Sequence, residues 1–279
     1  MSEIISNGRF DEERAMYGKH DLTVTDCAFD GPADGESAFK ECSGINVKNC
    51  YFNLRYPFWH DHGLSVTGSE LTSLCRAALW YSDNINIANT KLHGIKALRE
   101  CAVCEIYDSD IISPEFGWSS RDIKMERCRA EGEYFMLRAE NLDVKDFIFR
   151  GKYSFQYIKN SRFENCEFDT KDAFWHAENV TVINSVIKGE YLSWYSDGLT
   201  LINCKIIGTQ PLCYCRNLRL VDCEMTETDL CFEKSHVQAT LTAPVISIKN
   251  PASGTIYVPA VNDIIKDDEN SHGDIIITA

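Results

Sequence analysis

Few side chains in this 279-residue sequence stand where they could carry out a reaction. The triplet His60-Asp61-His62, in "FWHDHG", sets two imidazoles two residues apart with a carboxylate between them. That spacing suits an acid/base unit or two ligands on one metal ion. Its place just before Gly63 equally suits the polar end of a loop. Arg99-Glu100 and Arg138 offer guanidinium groups that could orient a carboxylate, and the same residues also build surface ion-pair ladders. His176 in "DAFWHAEN" has Asp172 and Glu178 nearby, a further acid/base combination. Cys101-Ala-Val-Cys104 has the spacing of half a zinc site, but no second pair is suitably placed. Neither a metal nor another cofactor is therefore expected. "GESAF", around Ser37, lacks the glycine spacing of a nucleophile elbow. These residues name no single reaction, so the elements that hold them decide more.

Those elements repeat. A phrase such as "LTLINCKIIG" or "LRLVDCEM" returns along the chain, and its first apolar residue falls at Leu22, Ile45, Leu64, Ile85, Cys104, Ile123, Leu142, Ser161, Val180, Leu199, Leu218 and Val237. From Ile85 to Val237 the spacing is 19 residues at every step, whereas the three earlier steps are 23, 19 and 21. A fixed period near 20 marks a solenoid, and the longer steps mark loop insertions.

Inside each phrase, apolar residues alternate with polar ones at period two, as in Leu199 and Leu201 or Ile45 and Val47, which is the register of a strand. Asn or Asp follows (Asn49, Asn89, Asn165, Asn203, Asp222), residues that accept left-handed turns. A small side chain comes next: Cys27, Cys50, Ser69, Thr90, Ser109, Cys128, Cys166, Ser185, Cys204 or Cys223. The second half of each unit, as in "KGEYLSWYSDG", reads as a further strand that closes the coil. The expected fold is all-β, a single-stranded right-handed parallel β-helix of about twelve rungs of about 19 residues. A left-handed helix would want three equal hexapeptides per coil, and these rungs are unequal. One domain is expected over 1–279, with an N-terminal cap and partial rung at 1–21, regular rungs at 22–236, and closing strands at 237–279. A lone rung buries about six apolar side chains at about 1.5–3 kcal/mol each. Ordering its backbone costs about 1–2 kcal/mol per residue, so rungs stand only as a stack. The cysteines are then small, apolar fillers on the inside of a tight bend.

Stacking turns rung positions into columns. One carries Trp59, Trp80, Arg99, Trp118, Leu137, Gln156, Trp175, Trp194 and Cys213, and the next carries His60, Tyr81, Glu100, Ser119, Arg138, Tyr157, His176, Tyr195 and Tyr214. Strict alternation, with a small residue following, puts the Trp column inside and the Tyr/His column outside. A charged column lies earlier in the rung: Glu13, Glu36, Arg55, Arg76, Lys96, Glu115, Glu133, Lys152, Asp172 and Glu190. Outward aromatic rings beside charged forks suit an oligosaccharide, through Tyr81, Tyr157, His176, Tyr195 and Tyr214 with Glu133, Lys152 and Glu190. The same rings also read as cross-strand stacks that only stabilise a sheet.

Composition narrows the partners. A formal net charge of -14 argues against a nucleic-acid backbone. No apolar run is long enough to span a membrane. The first residues, "MSEIISNGRFDEERAMYGKH", have neither a basic region nor an apolar core of a signal peptide, so thirteen reduced cysteines in a cytoplasmic protein are expected.

The phrases "DGESAFKE", "YFNLRYPFWH", "CRAALWY", "KLHGIKALRE", "IISPEFGW", "GKYSFQY", "DTKDAFWHAENVTVINSVIKGEYL" and "LINCKIIGTQPLCYC" resemble an uncharacterised family of bacterial pectin-lyase-like β-helix proteins. The resemblance runs from about Phe10 to Lys249 and implies the right-handed single-stranded β-helix. It implies no activity and carries over no catalytic residue, because the family is a domain of unknown function. Unlike secreted polysaccharide-degrading members of that fold, this chain shows no export signal and no long active-site loops. The reading is a carbohydrate-binding or carbohydrate-modifying β-helix, with a structural or protein-interaction solenoid as the alternative. Oligomeric state is not legible.

Overall fold

The computed structural model describes residues 3–278. Its regular structure is strand and turn, with no helix among the described residues, and the chain forms a parallel β-solenoid of about fourteen turns of about 19 residues. The excess over twelve lies at the ends. Glu3–Ser6 pairs in parallel with Leu22–Thr25, Ile5 beside Val24. Ser253–Val258 stacks on His236–Leu241 and Asp274–Ile277 on Ser253–Val258, although the Asn-Cys turn that marks a rung in the sequence has gone. The chain divides into two compact units, Met1–Asp143 and Val144–Ala279.

In the first unit, Leu64 lies beside both Ile45 and Ile85, and Cys104 beside both Ile85 and Ile123. In the second, Val180 lies beside both Ser161 and Leu199, and Leu201 beside Leu220. Like residue therefore lies over like. Each rung carries a long strand such as Asp197–Ile202 and a short one such as Lys205–Ile207. Between them Asn203 takes φ 49°, the left-handed bend that Asn tolerates best. Its amide group then donates to Asn184 Oδ1 on the neighbouring rung at 2.9 Å.

The residue after that bend faces inward. Where it is Ser or Thr, its hydroxyl accepts an amide from the next rung: Cys50 N–H donates to Ser69 Oγ at 3.0 Å and Cys166 N–H to Ser185 Oγ at 3.0 Å. Where it is Cys, the thiol donates to a carbonyl, as Cys223 does to Leu201 O at 3.4 Å. All thirteen cysteines are free and buried. The remaining interior is phenylalanine-rich. Phe29 and Phe52 stack at 4.7 Å with 2° between their planes, and Phe168 meets Phe174 edge-on at 5.7 Å.

The second half of the rung is not the strand that period-two patterning suggests. In the first unit only two-residue strands form there, Phe58–Trp59, Leu79–Trp80 and Leu98–Arg99. In the second unit, Tyr191, Ser193 and Tyr195 have φ 56°, 61° and 61°, a run of turns in which every other residue is left-handed. Rungs approach closely at Gly208, where an added Cβ would lie 2.1 Å from the Gly189 carbonyl oxygen.

Candidate functional site

The second unit carries an unbroken aromatic stack. His176 lies between Tyr157, at 4.7 Å and 9°, and Tyr195, at 5.1 Å and 10°. Tyr195 in turn stacks on Tyr214 at 4.8 Å and 13°. These residues occupy one left-handed corner, with φ 58°, 54°, 61° and 60° from Tyr157 to Tyr214. A bulky residue there costs about 1–2 kcal/mol in backbone strain. The rung spacing of about 4.8 Å happens to be a good ring-stacking distance, which recovers about 0.5–1.5 kcal/mol per pair. Tyr157 and Tyr195 are 41% and 47% exposed, so the ring edges reach solvent while the faces cover one another. The phenol hydroxyls of Tyr195 and Tyr214 take no hydrogen bond from the described residues. Burial, then the nearby Glu233 carboxylate, raises the Tyr214 phenol above its ordinary pKa.

The Trp column is half-buried and outward rather than inside. The residue that follows each Trp is left-handed (Tyr81 φ 58°, Tyr195 φ 61°), so alternation breaks and two consecutive side chains point out. The inward position belongs instead to Phe58, Leu79, Phe174 and Ser193. Each indole N–H reaches a carbonyl one rung on: Trp59 donates to Ala77 O at 2.6 Å and Trp175 to Tyr191 O at 2.7 Å. Trp59 stacks on Trp80 at 5.4 Å and 3°, and Trp175 on Trp194 at 5.3 Å and 3°. Tyr191, which the patterning did not single out, meets the Trp194 edge at 5.4 Å. The signal for it is the Tyr that sits three residues before Trp in both "RYPFW" and "EYLSW".

The catalytic candidates do not share one site. His60 stacks on Tyr81 at 5.0 Å, while His62 Nδ1 lies 2.8 Å from Asp83 Oδ2. Asp61 turns the other way, into the interior, and is fully buried. The Cys42 amide donates to its Oδ1 at 2.8 Å, and its Oδ2 has no partner. Burial pushes its carboxyl up to about 8, against a smaller opposing effect of the Cys42 hydrogen bond. Arg99 is held over Trp80 and Trp118, 5.1 and 5.5 Å from the ring centres, and its Nε lies 3.4 Å from Glu100 Oε1. Arg138 stands exposed at the left-handed corner, with φ 58°. No hydrogen bond links His176 with Asp172 or Glu178, and Glu178 is paired with Lys159 at 3.0 Å. No group of three or more His, Cys, Asp and Glu residues among the described residues is placed to hold a metal ion.

The charged column needs a change of register. Backbone hydrogen bonds place Ser37 N–H on Arg55 O, Tyr56 N–H on Arg76 O and Ala77 N–H on Ile95 O. Glu36, Arg55, Arg76 and Ile95 therefore line up in the first unit. Lys96 and Glu115 fall one residue later, at the bend, with φ 60° and 59°. In the second unit Lys171, not Asp172, takes the column position, and its ammonium meets Glu190 at 2.8 Å. Asp172 is buried at the bend, where desolvation raises its carboxyl against the pull of Lys171. Lys152 lies over the Tyr153 ring at 5.5 Å, and Glu133 is exposed.

The chain belongs to the family described as Protein of unknown function (DUF3737), whose profile matches residues 3–278. No curated protein matches it. Among solved structures it is similar to PfbA, a surface adhesin of Streptococcus pneumoniae, with a TM-score of 0.37 and 11% identity over 94% of this chain and 74% of that one. It is also similar to the A-module of the mannuronan C-5 epimerase AlgE4 of Azotobacter vinelandii, at 0.31 and 8% over 100% and 85%. HetL, a pentapeptide repeat protein of Nostoc, scores 0.24 at 11% identity over 64% and 91%. Likenesses this distant carry no function, since folds host many unrelated activities.

Proposed function

We propose that this member of a family of unknown function is a non-catalytic binding scaffold. Its ligand is an extended, uncharged oligosaccharide lying along the Tyr157–His176–Tyr195–Tyr214 ridge. The observation that supports this reading is the ridge itself, where one hydrogen-bonding ring edge per rung faces solvent in strict register. One rung is about the length of one pyranose in an extended chain, so successive sugars meet successive rungs. The ring faces are spent on one another, so recognition falls to phenol hydroxyls, imidazole nitrogens and ring edges rather than to face-on stacking. A protein interface would want an apolar, water-free centre. This ridge instead presents the Tyr195 and Tyr214 hydroxyls, which no described residue engages. The strongly acidic chain repels polyanions, which selects neutral glycans.

The test is calorimetric titration of the full chain with neutral β-linked gluco- and xylo-oligosaccharides of one to six units. Affinity should climb with length and level off near four units, and Tyr195→Gly should abolish the gain. Flat, undetectable binding at every length would overturn the reading. Capture of one stoichiometric protein partner through the same ridge, with no sugar response, would replace it with a protein-interaction scaffold.

A further inference from the structure

The two irregular steps of the repeat have a structural result. Against the regular rung "FNLRYPFW", which runs from Phe52 through Arg55 to Trp59, the preceding rung carries four extra residues between Phe29 and Glu36. The following rung carries two extra between Leu71 and Arg76. Both insertions fall at the same corner of the first unit, on either side of a rung that has none. The regular rung becomes the floor of a cleft and the inserted loops become its walls. The cleft holds about 500 Å³ and is lined by Asp34, Arg55, Ser73, Leu74, Arg76 and Ile95. That lies within the span of about 300–1,000 Å³ over which proteins hold small molecules.

Its chemistry is lopsided for so acidic a chain. The Arg55 guanidinium is gripped from one side by Asp34 at 3.3 Å and Glu36 at 3.6 Å, while its Nε is buried without an acceptor. Arg76 makes no ion pair with any described residue. Beside it stand Leu74 and Ile95, apolar side chains 57% and 38% exposed to solvent. A guanidinium fork matches a carboxylate with two parallel hydrogen bonds. Apolar walls favour a ligand whose remainder is hydrocarbon or an aromatic ring.

We propose that this cleft binds a small organic carboxylate with an apolar body. The carboxylate lies on Arg76, which is otherwise uncompensated, and the body lies against Leu74 and Ile95. The site is separate from the Tyr/His ridge and does not depend on the function proposed for it.

The test is calorimetric titration of the full chain with benzoate, benzamide and acetate. Benzoate should bind at least tenfold more tightly than benzamide, which lacks the charge, and than acetate, which lacks the ring. Arg76→Ala should weaken benzoate at least tenfold, and Leu74→Ser should weaken benzoate while leaving acetate unchanged. Both positions are exposed, and a far-UV spectrum identical to the parent's confirms that each variant folds. Tyr195→Gly, in the other unit, should leave benzoate affinity unchanged. Equal binding of benzoate and benzamide, no benzoate binding at millimolar concentration, or an unaltered affinity in a folded Arg76→Ala variant would each overturn the proposal.

Discussion

Asp61 Oδ1 accepts the Cys42 amide at 2.8 Å, in the role that Ser120 Oγ plays for Cys101 at 3.1 Å and Ser235 Oγ for Cys215 at 2.9 Å. A carboxyl thus stands where the column elsewhere uses a hydroxyl, with its second oxygen buried and unpaired. Burial lifts its pKa from 3.8 to about 8, so in that window the native state holds a proton that the unfolded chain releases. Stability therefore falls as pH rises from about 4 to about 8 and is flat above, a loss of about 6 kcal/mol at most. We predict that Asp61→Ser, which keeps an acceptor for Cys42, removes this slope and raises stability at pH 8. Urea denaturation from pH 4 to 9 is the measurement. An unchanged slope would show that Asp61 is ionised in the fold.

The cysteines should be inert. Burial pushes the Cys42 and Cys75 thiols up to about 12 and Cys101 up to about 11, and the reactive species is the thiolate. The hydrogen bond with Cys204 lowers Cys223 instead, and there complete burial is what keeps reagents away. We predict that no thiol of the native protein reacts with a chromogenic disulfide reagent within minutes at pH 8, and that all thirteen react in denaturant. Even one fast-reacting thiol in the folded protein would contradict the packing described for them.

Asn203 does two jobs at its bend. It holds φ 49° and donates to Asn184 at 2.9 Å. Replacement by Gly keeps the backbone but loses the bond, costing about 1 kcal/mol, whereas Ala loses both and costs about 2 kcal/mol. Chemical denaturation of the two variants should rank them in that order. Equal losses would mean that the bend itself is unstrained.

The Tyr195 ring sits in two stacks and on a strained backbone, and the two terms nearly offset. Two stacks contribute about 1–3 kcal/mol, while the left-handed conformation of a bulky residue costs about 1–2 kcal/mol. We predict that Tyr195→Gly stays within about 1 kcal/mol of the parent, and that Tyr195→Ala, which keeps the strain, falls about 1 kcal/mol lower. A large loss in the Gly variant would make the ridge chiefly structural, and would weaken the case that its rings are retained for binding.

The repeat was legible because a solenoid writes its spacing into the chain. The apolar pair Leu199 and Leu201, the bend at Asn203 and the small residue at Cys204 all lie where the period puts them. The second half of the rung was not legible. Its left-handed residues are mostly Tyr, His, Phe, Lys, Glu and Ser rather than Gly or Asn, so composition gives little turn signal. Alternation then misassigns Trp59 and Trp175 to the interior. The Lys96 and Glu115 register was lost for the same reason, since an unmarked bend shifts the count by one. The cleft at Arg76 left its trace only as the uneven steps of 23 and 21 residues.

At Gly208 the neighbouring backbone leaves no room even for a methyl group, yet the chain between Phe29 and Glu36 grew by four residues while Val24 kept its place beside Val47. The coil is thus rigid along one edge and permissive along another. Loop length at the permissive corner can change at little cost to folding. New specificities should arise there first, as length polymorphisms rather than as point changes in the stacked interior.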